Sequence, residues 1–117
     1  MMKGTPENYR LFLDDVRDVT MVYPNMTNDD FVIVRTYDAF VAYIQENGLP
    51  SFISFDNDLG VDDNDVLLLE GYDAAKWLVY ESNLDLKDLK FKVHSANPVA
   101  SIQIESLLNN YLRFLRR

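Results

Sequence analysis

No cysteine occurs in this 117-residue chain. That absence excludes disulfides, thiolate catalysis and any Cys-ligated zinc or iron–sulfur site, and it fits a cytosolic protein. No apolar run is long enough to span a bilayer, and the opening "MMKGTPENYR" lacks the apolar segment of a signal peptide. The expectation is a soluble, cytoplasmic protein without a membrane partner. Positive charge is scarce: 11 Lys and Arg stand against 19 Asp and Glu, for a net charge of −8. Phosphate backbones reward clustered Lys and Arg, so no general duplex nucleic-acid binding is expected. Arg113, Arg116 and Arg117 read instead as complements to the negative end of a last helix. Also missing are GxxxxGKS/T, GxGxxG and GxSxG. A calcium loop counted from Asp56, Asp58 or Asp62 lacks the required glycine and glutamate together. With neither internal repeat nor Gly/Ser-rich linker, residues 1–117 read as a single domain.

What is present alternates strands with helices. "RLFLDD" (10–15), "FVIVRT" (31–36), "SFISFD" (51–56) and "LKFKVHS" (89–95) read as four strands. Between the first two, Pro24 and several Asn and Asp argue against a long helix over 16–30. "YDAFVAYIQENG" places Phe40, Val41, Ala42 and Ile44 at helical spacing and ends at Gly48 and Pro50. "YDAAKWLVYESN" (72–83) offers Ala75, Leu78 and Val79 for packing, with Trp77 expected in the core. Residues 57–70 form an acidic loop with a "VLLL" insert that pattern alone does not place. The final helix starts at an Asn97 cap with Pro98 in its first turn. Val99, Ile102, Leu107, Leu108, Tyr111, Leu112 and Leu115 are its predicted apolar face.

This order implies βαβ units: an α/β, three-layer fold with a mostly parallel four-stranded sheet covered on both faces. Ligands of such sheets bind outside the carboxyl ends of the strands, where strand order reverses. The residues closing the strands are Asp14 and Asp15, Arg35 and Thr36, Asp56 and Asp58, and His94 and Ser95. Four carboxylates in one crevice repel one another unless protonated or neutralised by a cation. Magnesium suits such oxygen ligands and keeps room for a phosphate. Arg17, Arg35 and the start of the last helix, with Ser95 and Asn97, could bind that anion. Plainer readings compete. Asp pairs also form turns, a lone histidine is often structural, Asn97-Pro98 is a complete helix start, and "DDND" at 62–65 suits a solvated loop.

The motifs "LFLDDVR", "VRTYDAF", "SFDNDLG", "GYDAAKWL" and "HSANPV" occur in an order that resembles the cyclic-phosphate-processing receiver-like domain family. The resemblance runs from Leu11 into the last helix. It implies a receiver-like (flavodoxin-like) fold, related to the receivers of response regulators. On receivers' pattern, Asp14 and Asp15 match the acidic pair that holds magnesium. Asp56 matches the phosphoryl-acceptor position, Asp58 is an additional acid, and His94-Ser95 falls where receivers carry Ser or Thr. Two departures stand out. Asn57 occupies the place where the family usually has histidine, leaving His94 to carry acid–base work alone. The chain is also expected to lack the fifth strand with its lysine, which speaks against a conventional phosphorelay.

The resemblance implies a metal-dependent phosphoesterase or phosphotransferase acting on a cyclic phosphate, such as an RNA 2′,3′-cyclic end or a cyclic nucleotide. Asp14, Asp15, Asp56 and Asp58 would hold Mg²⁺ or Mn²⁺, and Asp56 could alternatively be a nucleophile. His94 would be the general acid or base, and Arg17, Arg35, Ser95 and Asn97 would bind phosphate. The alternative is a non-catalytic receiver-like signalling module or a nucleotide- or protein-binding module.

Overall fold

A computed structural model describes residues 9–60, 64 and 69–116. Four strands form one all-parallel sheet: β1 (Arg10–Leu13), β2 (Val32–Val34), β3 (Phe52–Phe55) and β4 (Lys90–Val93). Their spatial order is β2-β1-β3-β4, the flavodoxin-like order without a fifth strand among the described residues. Strand order reverses between β1 and β3, so the crevice expected to hold a ligand lies between their carboxyl ends.

Three helices follow the later strands: α1 (Tyr37–Asn47), α2 (Gly71–Tyr80) and α3 (Pro98–Leu115). Thr36 caps α1 by accepting the Ala39 amide, and Gly48 ends it at φ +87°, a conformation most side chains avoid. Helix α2 stops at Tyr80, three residues before the expected end, and Asn83 takes φ +60° as the chain leaves. The acidic stretch 57–70 carries Leu69 at its exposed end; most of "VLLL" and of "DDND" lies outside the described residues.

All three helices pack on one face of the sheet. Phe40 and Ile44 of α1, Ala74, Ala75, Trp77 and Leu78 of α2, and Ile104, Leu108 and Leu112 of α3 share a core with Leu11, Leu13, Val34, Ile53 and Phe55. The expected apolar face of α3 holds for Leu107, Leu108, Tyr111, Leu112 and Leu115 and departs near the helix start. Val99 and Ile102 are exposed, and Ala100, Ile104, Leu108 and Leu112 form the buried stripe. A four-residue step keeps small Ala100 against the sheet at the helix start, which turns Val99 and Ile102 outward.

The opposite face has no helix among the described residues. The connection from β1 to β2, with 3₁₀ turns at Val19–Met21 and Asn28–Asp30, folds over it. Val19 and Phe31 bury against Phe12, joined by Val22, Tyr23, Met26, Ile33 and Phe52. The second turn is closed by two bonds: the Thr27 amide donates to the Asp30 carboxylate at 2.8 Å, and the Thr27 hydroxyl accepts the Asp29 amide at 3.3 Å. Both faces are covered, by unlike layers. No helix of the described residues is long and apolar enough to cross a membrane.

Candidate functional site

Beyond β1, β3 and β4 the next residue extends the ladder by one bond. The Asp14 amide donates to Val34 O at 3.2 Å, the Asp56 amide to Leu13 O at 2.9 Å, and the His94 amide to Phe55 O at 2.8 Å. These three positions are therefore fixed by the sheet, although they lie beyond its strands. Side chains alternate along a strand. Leu13, Phe55 and Val93 face the helices, so Asp14, Asp56 and His94 turn to the face under the β1–β2 connection. Their ligand atoms lie within 4.8 Å of one another.

Asp14 is fully buried and ringed by donors. Its Oδ1 accepts the Val16 amide at 3.0 Å and the Arg17 amide at 2.8 Å; its Oδ2 meets the Arg17 guanidinium at 3.3 Å and His94 Nε2 at 3.0 Å. Burial alone would raise its pKa. The two amides and the His94 ring outweigh burial, and the carboxyl is held below its ordinary value. Asp56, 6% exposed, has one close donor to its side chain among the described residues, the Asn57 amide at 2.9 Å, and a longer approach to Arg17 at 3.8 Å. Burial, with the charge of Asp14 beside it, pushes its pKa up to about 6. Two neighbouring carboxyls are thus driven apart, a pattern that separates an ionised group from a proton-exchanging one.

The His94 side chain is 3% exposed, stacked on Phe12 at 4.8 Å between ring centroids. Nε2 bonds Asp14, and Nδ1 lies 2.6 Å from the Ser54 hydroxyl, which in turn lies 2.7 Å from the Tyr23 hydroxyl. Burial lowers the pKa of His94, against the pull of Asp14. Burial thus moves the two groups in opposite senses, Asp56 up from the ordinary carboxylate range and His94 down from the ordinary imidazole value.

The remaining expected residues are placed as follows. Arg17 spans the carboxylates and the His94 carbonyl, the last at 3.4 Å. Arg35 donates to the Asp14 and Arg17 carbonyls at 3.1 and 2.6 Å and approaches Asp18 at 3.6 Å. It braces the loop that carries Arg17. Ser95 accepts the Asn97 amide, and Asn97 accepts the Val99 and Ala100 amides, so both organise the start of α3. Asp15 is half-buried beside Gly60, and Asp58 is exposed; neither shares the three-residue cluster.

Sequence reasoning missed Ser54, Tyr23 and the work of Asn57. A serine inside the apolar "FISF" strand is the signal for Ser54, since a buried hydroxyl needs a partner. Asn57 is 4% exposed. It donates to Glu70 at 3.0 Å and Asp58 at 3.2 Å, and its side-chain oxygen accepts the Tyr72 amide at 3.1 Å. Its carbonyl accepts the Gly71 amide at 2.8 Å. Asn57 thus clamps the start of α2 to the end of β3.

Parallel order, reversal point and an acid-rich crevice define a receiver-like α/β protein. A family model described as the cyclic-phosphate processing receiver domain matches residues 9–110, and the chain belongs to that family. No curated protein matches it significantly. A solved structure described as a fusion of the yeast Spc42 trimeric coiled coil to another structure is similar with a TM-score of 0.57 and 18% identity. The match covers 97% of this chain and 80% of that one, and at this identity the likeness supports the fold alone.

Proposed function

We propose that this chain is a divalent-cation-dependent phosphoesterase or phosphotransferase acting on small cyclic phosphates, such as cyclic nucleotides or RNA 2′,3′-cyclic ends. One observation carries the reading: Asp14, Asp56 and His94 converge within 4.8 Å at the reversal point of the sheet. The donor set fits a cation. Two buried carboxylates lie together, and the raised pKa of Asp56 reflects burial first and then the charge of Asp14, which Arg17 at 3.8 Å offsets only in part. Asp14 and Asp56 would hold Mg²⁺ or Mn²⁺. A bound cation supplies Lewis-acid polarisation of phosphoryl oxygens.

The chain's own residues do the rest. In the cation-free protein Asp56 has its pKa pushed up to about 6, and it must give up that proton to hold a cation. Asp14 stays ionised among its donors, and His94 orients it. Arg17, one-third exposed, can turn a guanidinium edge to non-bridging oxygens. Arg35 holds the Arg17 loop rather than the substrate.

Incubation with 2′,3′-cyclic nucleotides and Mg²⁺ or Mn²⁺ tests this reading. Ring opening or transfer is expected in the wild type and lost in Asp56→Ala; turnover surviving both Asp56→Ala and His94→Ala would sink the assignment. A second reading, recognition of a cyclic phosphate without turnover, draws on the fact that both ring nitrogens of His94 are engaged by protein groups. Saturable binding without product would favour it.

A further inference from the structure

The most unusual polar feature outside the carboxylate pair is a line of three side chains from three segments. Tyr23 comes from the β1–β2 connection, Ser54 from the middle of β3, and His94 from the residue after β4. Ser54 is fully buried, paired across the sheet with Phe12 and on the same strand face as Phe52, an apolar setting in which a hydroxyl is costly unless bonded. Both of its contacts are short, at 2.7 and 2.6 Å.

Counting protons gives the line a direction. Oδ1 of Asp14 accepts two amides, and Oδ2 faces the Arg17 guanidinium. A carboxylate so surrounded acts as an acceptor, so the 3.0 Å bond to His94 has Nε2–H as its donor. The sealed ring, with the Arg17 guanidinium at its own carbonyl, holds one proton rather than two. Nδ1 then carries a lone pair, and Ser54 must give it its single proton. Having spent that proton, Ser54 accepts from the Tyr23 hydroxyl.

We infer that Ser54 and Tyr23 are positioning residues, a directed hydroxyl chain that commits the Nε2–H of His94 to Asp14. The chain runs Tyr23 O–H to Ser54 Oγ, Ser54 O–H to Nδ1, and Nε2–H to Asp14 Oδ2. It fixes both the tautomer and the orientation of the ring. Without the Ser54 proton, a half-turn of the ring or the opposite tautomer becomes available, and Asp14 loses its neutral donor. The separate duties of Asp14 and Asp56 then rest on a serine in the sheet and a tyrosine in the loop that covers it. The inference rests on the functional reading above only for why the orientation of Asp14 matters.

Because His94 is the chain's single histidine, imidazole nitrogen NMR of the full-length protein reads one ring without ambiguity. At neutral pH the wild type is expected to carry its proton on Nε2, with the Nδ1 resonance displaced from the free lone-pair position by the Ser54 bond. Ser54→Ala should move Nδ1 to the free lone-pair position; Tyr23→Phe, which leaves Ser54 in place, should move it part of the way. A wild-type ring protonated on Nδ1 or on both nitrogens overturns the inference, as does an Nδ1 resonance that Ser54→Ala leaves unmoved. Should Ser54→Ala not fold, Tyr23→Phe decides alone, and no shift there overturns the chain. The readout is independent of turnover. An inactive protein with the expected tautomer would lose the proposed function and keep the hydroxyl chain, and an active protein with the other tautomer would do the reverse.

Discussion

The two faces of the sheet solve the same burial problem with different materials. On one face, three amphipathic helices bring a dry aliphatic and aromatic core against Leu11, Leu13, Ile53 and Phe55. On the other, irregular chain with two short 3₁₀ turns covers Phe12, Phe31 and Phe52, and threads polar groups among them. Tyr23, Ser54, His94, Asp14 and Asp56 all belong to that second face or to its carboxyl-terminal rim. A helix satisfies its own backbone and presents a repeating stripe. A loop can instead lend a single hydroxyl or guanidinium where one is needed. The face that looks less orderly is the one that holds the chemistry.

The sharpest way to break this contrast is to remove one large side chain from each layer. Phe12→Ala should cost about 3–5 kcal/mol, and Leu78→Ala on the helical face about 2–5 kcal/mol. Only Phe12→Ala should also alter the His94 resonances, because Phe12 alone of the two stacks on that ring. Denaturant unfolding together with NMR checks both halves. Gly71→Ala probes the seam between layers. A Cβ there would overlap the Asp56 carbonyl, so a loss of about 1–3 kcal/mol is expected, with displacement of the end of β3.

Asp56→Asn should act in the opposite direction. The folded pKa of about 6 lies above the ordinary value of 3.8, so between them the folded chain holds a proton that the unfolded chain has released. Asp56 therefore lowers stability as pH rises through that window, and the full cost is present above about pH 6. Replacing it with Asn should stabilise the cation-free protein at pH 8 by on the order of 1–3 kcal/mol while abolishing turnover. Asp14 has the opposite sign. Its lowered pKa contributes stability above the ordinary carboxylate range that is lost as pH falls through the folded value. The smallest effect is expected at Arg17, whose Nη1 lies 3.3 Å from Asp14 and 3.8 Å from Asp56. Arg17→Gln removes a cation from the place where another must sit, so Mn²⁺ should bind roughly tenfold more tightly, about 1.4 kcal/mol. Calorimetric titration reads that change, and a weaker affinity would mean that Arg17 supports the site rather than competing for it.

The strands and helices were legible because their apolar runs, glycines and caps are local signals. Asn97 with Pro98 fixed the start of α3, and Thr36 stood where α1 begins. The apolar face of α3 was legible from Leu107 onward but not at its start, since Val99 and Ile102 are as apolar as the residues that are buried and only the sheet decides between them. Asp14, Asp56 and His94 could be named because each closes an apolar strand. Their electrostatic division of labour could not. It depends on two amides at Asp14, one at Asp56 and a ring sealed under Phe12, and these are features of the folded chain. The β1–β2 connection hid its role because loops have no period, and Asn57 reads only as a departure from the family's histidine until Glu70 and Tyr72 are brought beside it.

The central claim is that the site holds Asp56 well above the ordinary carboxylate range and His94 below its ordinary value. Side-chain NMR titration of the cation-free wild type, following the Asp56 carboxyl carbon and the His94 ring together, tests it most directly. The account predicts a carboxyl midpoint of about 6 for Asp56 and a His94 midpoint below its ordinary value. An Asp56 that titrates in the ordinary carboxylate range, beside a His94 that gains its proton near neutrality, would contradict it.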